Sequence, residues 1–412
     1  MRTVGLIVEY NPFHNGHLYH LQQSKKITGS DAVIAVMSGH FLQRGEPALL
    51  DKWTRAEMAL RGGCDLVIEL PVAYSTQAAE WFAYGAVALL EATGVVDCLC
   101  FGSEGGMIAP LRRIAKTMAK EPASFGTLLA AALAGGSNYP SAYSSAVKQH
   151  MLLSGDDEAA AFPLNEPNNT LGLHYLLALE RLESAIQPFT IKREKAGYSQ
   201  ANISDASIAS ATAIRKLIME DKMPEAIAPY VPASTFELLM QQAGERRLVG
   251  WEQLSRLLFH KIISESAAEL NQYHEVTEGL EYRIKRLMPS LPRLTVASLL
   301  DSLKTKRYTR TKLQRALLAI LLNHHKEQLG AEQLRAGIQY LRILGCSAKG
   351  KTLLKKMKGK AALPILLSAA RPPEPFPFLE LDVRATSIYG MAQNNAAPDA
   401  LYRDYYAKPI FI

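Results

Sequence analysis

Two histidines three residues apart, with a glycine between them, are the first residues of this chain able to do chemistry together. They lie in Glu9-Tyr10-Asn11-Pro12-Phe13-His14-Asn15-Gly16-His17-Leu18, where the turn signal Asn11-Pro12 precedes the pair and a helix begins behind it. At that spacing both imidazoles project from a first helical turn toward one ligand. Gly16 leaves room for a phosphate to approach the helix N-terminus, where unpaired N–H groups and the positive end of the dipole favour anions. This is a phosphate cradle without a Walker lysine. A second helix start, Ala209-Ser210-Ala211-Thr212-Ala213-Ile214-Arg215, offers hydroxyls at Ser210 and Thr212 and a guanidinium fork at Arg215 for phosphate oxygens. Ser210 by itself reads as a plain helix cap.

These residues need a scaffold that brings them together. Apolar runs of strand length at 3–8, 32–37, 65–70 and 95–101 alternate with stretches of helical spacing such as 18–26 and 53–61. That order predicts an α/β fold, a parallel sheet flanked by helices, with its ligand crevice beyond the carboxyl ends of the strands. Residues 107–160 read as mostly helical, a further helix follows Asn168-Asn169-Thr170-Leu171-Gly172, and 189–193 reads as a returning strand. Beyond Ile203 nearly everything has helical periodicity, at 211–220, 251–270, 275–288, 311–329 and 332–344. The organisation expected is a catalytic α/β domain over 1–200, a helical basic region over 201–369, and a proline- and aromatic-rich tail over 370–412 that packs back on the body.

A chain of 412 residues is too long for one ordinary core. With 48% hydrophobic and 21% charged residues it can bury enough apolar surface to exclude wholesale disorder. The net charge of +7 is uneven: residues 1–198 hold 16 Lys and Arg against 19 Asp and Glu, leaving 30 against 20 for the rest. A basic half joined to a near-neutral half suits a protein in which one part does chemistry and the other grips a polyanion, a solvated lysine-rich surface being the alternative. Four cysteines, Cys64, Cys98, Cys100 and Cys346, are too few for a disulfide framework, and the Cys98 and Cys100 spacing suits buried strand thiols. No twenty-residue apolar span appears, and Glu9 falls where a signal peptide would stay apolar. A soluble, untargeted cytoplasmic protein without a membrane partner is expected.

The loop after the second strand, Gly39-His40-Phe41-Leu42-Gln43-Arg44-Gly45-Glu46-Pro47, sits where a loop closes over a ligand and excludes water. His40 and Arg44 are expected to face the reaction chamber, a surface turn being the rival reading. His20 lies on the same helix as His14 and His17 and reads as support for them. His174, His260, His274, His324 and His325 form no set with ligand spacing, so no transition-metal site is expected.

The His14-Asn15-Gly16-His17 spacing resembles the HxGH signature of the nucleotidyltransferase superfamily, and residues 209–215 resemble its second, ISSTxIR-type signature, with alanine at 209 and 211 as departures. Longer stretches are similar to the bacterial tRNA(Met) cytidine acetate ligase family: Val4 through His17, Met37 through Ala48, Phe101-Gly102-Ser103-Glu104, Pro167 through Gly172, and Lys306-Arg307-Tyr308-Thr309-Arg310. The resemblance spans most of the chain and is weakest after about residue 350. It implies attack of acetate on ATP to give acetyl-adenylate and pyrophosphate, then acetyl transfer to the wobble cytidine of elongator tRNA(Met), giving N4-acetylcytidine. It implies that Ile7, Val8, Glu9, Tyr10, Asn11, Pro12, Phe13, His14, Asn15, Gly16, His17, Leu18, Tyr19 and His20 contact ATP, with Gly102, Asn168 and Arg193 completing the pocket. Mg2+ would ride on the ATP phosphates, held mainly by them and by water. Read without the family, Gly102 allows a ligand over the strand end or forms a strand-ending turn, Asn168 offers donor and acceptor or caps a helix, and Arg193 pairs with a ligand or is a solvated charge.

In Lys304 through Arg315, cations are interleaved with hydroxyls and a tyrosine. Lys306, Arg307, Arg310, Lys312 and Arg315 can track phosphates while Tyr308 stacks on a splayed base. The lysine cluster over 349–360 is more uniform, and either stretch also reads as a solvated face. Three functions compete: an acyl-adenylate ligase acting on tRNA, a small-molecule adenylyltransferase, and a non-catalytic nucleotide-sensing RNA-binding protein. The basic half disfavours the second, and paired histidines disfavour the third.

Overall fold

The computed structural model describes residues 1–193, 209–305, 308–393 and 397–412. Eight strands form one sheet: β1 (Thr3–Val8), β2 (Ala32–Ser38), β3 (Leu66–Leu70), β4 (Cys98–Ser103), β5 (Gln187–Lys192), β6 (Leu341–Cys346), β7 (Ile365–Leu366) and β8 (Ile410–Phe411). Their order is β5-β4-β1-β2-β3-β6-β7, with β8 beside β6. β1 to β5 run parallel, as β1 against β2 shows from Thr3 opposite Ala32 to Val8 opposite Met37. Period-two alternation splits β2 between two cores: Val33, Ala35 and Met37 pack on one face, and Ala32, Ile34 and Val36 on the other. Burial on both faces is why these runs are almost continuously apolar.

The strand order places a topological switch at β1. From it the chain proceeds through β2 and β3 to one side and returns to β4 on the other, opening a crevice between the carboxyl ends of β1 and β4. The helix Asn15–Thr28 begins there, directly after β1.

Four expectations from spacing are overturned. The helix expected over 311–329 ends at Leu322, where Asn323 turns left-handed, and the one expected over 275–288 starts only at Leu280. Residues 332–344 form only a short helix, Ala331–Arg335, and Leu341–Cys346 is the fully buried strand β6, antiparallel to β3. A short run that is apolar but for Arg342 fits a buried strand as well as a buried helix, and only the open edge of β3 decides between them. The stretch 251–270 is not one helix: Ser266 caps a new turn at Ala267–Leu270, accepting from the Glu269 N–H at 3.2 Å. After Ala370 the helix Pro377–Gly390 reaches the sheet, where Asp382 accepts from the Val72 N–H at 2.6 Å and the Tyr389 hydroxyl donates to the Ala48 carbonyl at 2.9 Å. Further on, Asp404 shares the wholly buried Lys52 ammonium with Glu69, at 2.8 and 2.7 Å. All four cysteines are free and buried. Among the described residues no helix is long and apolar enough to cross a membrane.

Candidate active site

At the β1/β4 switch lies a cleft of about 250 Å³. His14 and His17 line it from the start of the helix Asn15–Thr28. His14 is the N-cap: its Nδ1 accepts the Gly16 N–H at 3.0 Å, while the His14 N–H points to His17 Nδ1 at 3.4 Å. With its Nδ1 taken by the Gly16 N–H, the neutral His14 ring carries its proton on Nε2 and has a donor left for a ligand, whereas His17 also hydrogen-bonds to the Pro12 carbonyl. The rings are stacked, centroids 3.7 Å apart, and both line the cleft. Burial, with the nearby Arg193 and Arg215 guanidiniums, lowers the His14 pKa to about 3. Burial and the neighbouring His14 hold His17 well below the usual imidazole range, and burial with Arg193 takes His20 to about 4. The site therefore presents neutral imidazoles. His20 Nε2 and Asn11 Nδ2 are buried and find no hydrogen-bond partner among the described residues.

The facing wall comes from the helix Ala211–Met219, whose start also lines the cleft with Ser210, Thr212 and Arg215. Ser210 caps it, accepting the Ala213 N–H at 3.1 Å, so the cap reading holds and the residue still borders the cleft. Arg215 donates to the Asn11 carbonyl at 3.0 Å and pairs with Glu46 at 3.4 Å. Two helix N-termini and an arginine thus converge on one cavity, which is what a polyphosphate requires.

The remaining boundary joins Gly102, Asn168 and Arg193. A Cβ on Gly102 would lie 3.2 Å from the Arg193 side chain, so the close approach there is Arg193 itself. Asn168 does not cap its helix. It sits in the first turn of Pro167–Arg181, where the Glu104 carboxylate accepts from its Nδ2 and from the Asn169 N–H at 2.9 Å. Glu104 sets Asn168 at the cleft edge, a role nothing in its local sequence signals. Arg55 is another residue missed: in Lys52-Trp53-Thr54-Arg55 it reads as a surface charge, yet it is fully buried and donates to the carbonyls of Glu9, Ser38, Gly39 and Leu50, tying the loops after β1 and β2 together.

Of the stretch 7–20, residues Ile7, Val8, Glu9, Tyr10, Asn11, His14, Gly16, His17, Tyr19 and His20 line the cleft. Pro12, Phe13, Asn15 and Leu18 do not: Phe13 is core under Gly62, and Asn15 donates to the Pro229 carbonyl at 2.9 Å. Arg44 borders the cleft, but His40 does not. His40 is 4% exposed, its ring 4.4 Å from that of Tyr389 and its Nδ1 3.3 Å from the Thr386 hydroxyl, because the C-terminal helix covers the face the loop would have turned to a ligand.

The basic stretch also departs from expectation. Tyr308 is 6% exposed and donates its hydroxyl to the Glu278 carbonyl at 2.7 Å, so it presents no face to a base. Arg310 pairs with Asp301 at 2.6 Å, Lys312 with Glu278 at 3.8 Å, and Arg315 with Glu275 at 2.9 Å. Lys306 and Arg307 lie outside the described residues. Among the described residues no group of three or more His, Cys, Asp or Glu is arranged to hold a metal ion.

A mainly parallel sheet whose first strand leads into paired histidines at a cleft agrees with the family model described as HIGH Nucleotidyl Transferase, which matches residues 1–404. The tRNA(Met) cytidine acetate ligases of Lysinibacillus sphaericus (strain C3-41) and Halalkalibacterium halodurans are each 40% identical to this chain across 100% of it and across 100% and 98% of their own lengths. The chain belongs to the tRNA(Met) cytidine acetate ligase family of HIGH nucleotidyl transferases. Among solved structures it is similar to Thermotoga maritima TmcAL, apo and bound with alpha-thio ATP, at TM-scores of 0.92 and 0.90, 36% identity and full coverage of both chains.

Proposed function

We infer that this protein is an ATP-dependent acetate ligase that acetylates the wobble cytidine of elongator tRNA(Met). The observation that carries the reading is the convergence of His14, His17, Arg193 and Arg215 with two helix N-termini on one cleft, in a chain whose full-length relatives bear that name. An acetate oxygen attacks the α-phosphorus of ATP, the bond to the β-phosphate oxygen breaks, and pyrophosphate leaves with the electron pair. Nε2–H of His14 donates to a phosphate oxygen as its charge grows, His17 stacks on that ring and holds it at the cleft, and the guanidiniums of Arg193 and Arg215 hold the polyphosphate in line. Because the His14 imidazole is neutral, it stabilises that charge by hydrogen bonding from a preorganised position.

In the second step the cytidine N4 attacks the acetyl carbon, the bond to the AMP oxygen breaks, AMP leaves with the electron pair, and the amine proton passes to water. The cytidine has to leave its stack, which costs a few kcal/mol and less in an anticodon loop than in a duplex. Mg2+ fits as a companion of the phosphates: Glu9 and Glu46 are the acids at the cleft, and both are engaged, Glu9 by the Gln43 N–H at 2.8 Å and Glu46 by Arg215. Such a chemistry belongs in the cytoplasm, where tRNA, ATP and acetate meet.

Incubation with ATP, magnesium and radiolabelled acetate, with and without bulk tRNA, tests the reading. Label in tRNA as N4-acetylcytidine is expected. Adenylyl transfer to a small phosphate ester, or nucleotide binding with no product, would replace it with one of the other two functions.

A further inference from the structure

Glu46 makes contacts that the adenylating reaction as written does not use. Its carboxylate faces two ways: Oε2 meets Arg215 at 3.4 Å, and Oε1 accepts from Gln314 Nε2 at 3.0 Å. Arg215 continues to the Asn11 carbonyl, three residues before His14. Gln314 belongs to the helix Arg310–Leu322 of the basic half, is 6% exposed and does not line the cleft. One carboxylate therefore links the helix Arg310–Leu322 to the arginine and the turn that frame the phosphate site.

The backbone supports the same link. Glu46 and Leu42 close the turn that carries Arg44, the Leu42 N–H donating to the Glu46 carbonyl at 2.9 Å and the Gly45 N–H to the Leu42 carbonyl at 2.8 Å. Gly45 has φ +75°, and a Cβ there would lie 2.4 Å from the Arg315 backbone nitrogen and 2.6 Å from the Gln314 carbonyl carbon. The turn is thus pressed directly onto the helix, at a position where only glycine has both the conformation and the room. Arg315, next to Gln314, is fixed by Glu275 and is only 12% exposed, so the helix offers the turn a firm surface.

We propose that Glu46 is a positioning residue, seated by Gln314, that sets Arg215 and the Arg44 turn for nucleotide binding and so couples the basic helix Arg310–Leu322 to the adenylating cleft. The inference rests on the adenylating reading for its meaning, but its geometry concerns ATP affinity alone. Displacing Gln314 frees one carboxylate oxygen, lets Glu46 and Arg215 swing together, and loosens the Asn11 carbonyl that leads into His14.

The test is a double-mutant cycle with Gln314→Met and Glu46→Ala, read by titration with a non-hydrolysable ATP analogue and by acetate-dependent exchange of pyrophosphate into ATP, both without tRNA. Gln314→Met is expected to raise the analogue Kd by about fivefold, the size typical of coupling between residues in one network, at an unchanged number of sites. In the Glu46→Ala background it is expected to add nothing. A merely structural role would lower the number of binding-competent molecules at unchanged Kd, and that result overturns the proposal, as does an effect that adds independently to Glu46→Ala. If Gln314→Met fails to fold, as judged by its melting transition, Gln314→Asn keeps the amide but falls short of Glu46, and the same cycle applies to it. A wild-type protein that binds the analogue but exchanges no pyrophosphate would defeat the ligase reading, while the analogue affinities would still decide the role of Glu46.

Discussion

The histidine turn at 14–17 and the basic stretch at 308–315 both look like anion sites in the sequence, and the structure treats them oppositely. At the turn, the Gly16 N–H satisfies one nitrogen of the His14 imidazole and leaves the other for a ligand. At the basic stretch, Asp301, Glu278 and Glu275 answer the cations, and the tyrosine is buried. What separates them is placement rather than charge: the turn holds its free donor at a cleft, while the stretch sets its cations against carboxylates. A residue becomes a site when the fold partners part of it and withholds a partner from the rest.

The sharpest way to break this comparison is to remove that donor or the ring that holds it. His14→Ala or His17→Ala is expected to lower the rate of acetate-dependent pyrophosphate exchange by about 10² to 10³-fold, the usual worth of one preorganised donor to developing charge. Retention of tRNA binding, measured by filter capture, would show that the loss lies at the cleft.

Acid is the second lever. His14 and His324 have folded-state pKa values of about 3, and His20 and His174 of about 4, all lowered chiefly by burial. The unfolded imidazoles, near 6.5, bind more protons throughout that interval, so these four groups contribute stability that is complete above about pH 6.5 and falls as pH drops toward 4, while the Glu9, Glu69 and Asp382 carboxyls, raised by burial, act in the opposite sense. Imidazole NMR shifts followed from pH 7.5 to pH 5 check this, and rings that become charged in the folded protein above pH 5 would overturn it.

Smaller effects are expected from the basic stretch. Tyr308→Phe removes the hydroxyl that bonds to Glu278 and is expected to cost about 1 kcal/mol of stability, with tRNA affinity unchanged. A stacking role would instead leave stability and weaken binding little, since phenylalanine stacks too, so Tyr308→Leu provides the contrast. Arg310→Ala is expected to change stability by no more than about 0.5 kcal/mol, because its pair with Asp301 is solvent-exposed. Its effect on the salt dependence of tRNA binding reports whether the guanidinium leaves Asp301 for a phosphate.

Much of the site was legible because its signals are local. The cradle at 9–17, the helix start at 209–215 and the strands that end beside them follow from turn chemistry, capping and apolar runs within a dozen residues. Glu46, Arg55 and Glu104 were not, since each works on groups distant in sequence: Glu104 on Asn168 and Asn169, Arg55 on carbonyls of two loops, and Glu46 on residues 215 and 314. His40 and Tyr308 failed for the converse reason. Their neighbours in sequence suit a site, but the C-terminal helix covers one and the Glu278 segment accepts from the other.

By itself, the sequence determined the alternation of strands and helices, the paired imidazoles at a helix start and the imbalance of charge between the halves, because these depend on period, spacing and composition. Only the tertiary structure decided that Leu341–Cys346 is a strand, that His40 is walled off, that the cations at 310–315 are paired internally, and that a buried arginine and two glutamates hold the cleft in shape. Those outcomes depend on which groups the fold leaves without partners, and a free edge, a covered face or an unsatisfied donor exists only once distant segments have met.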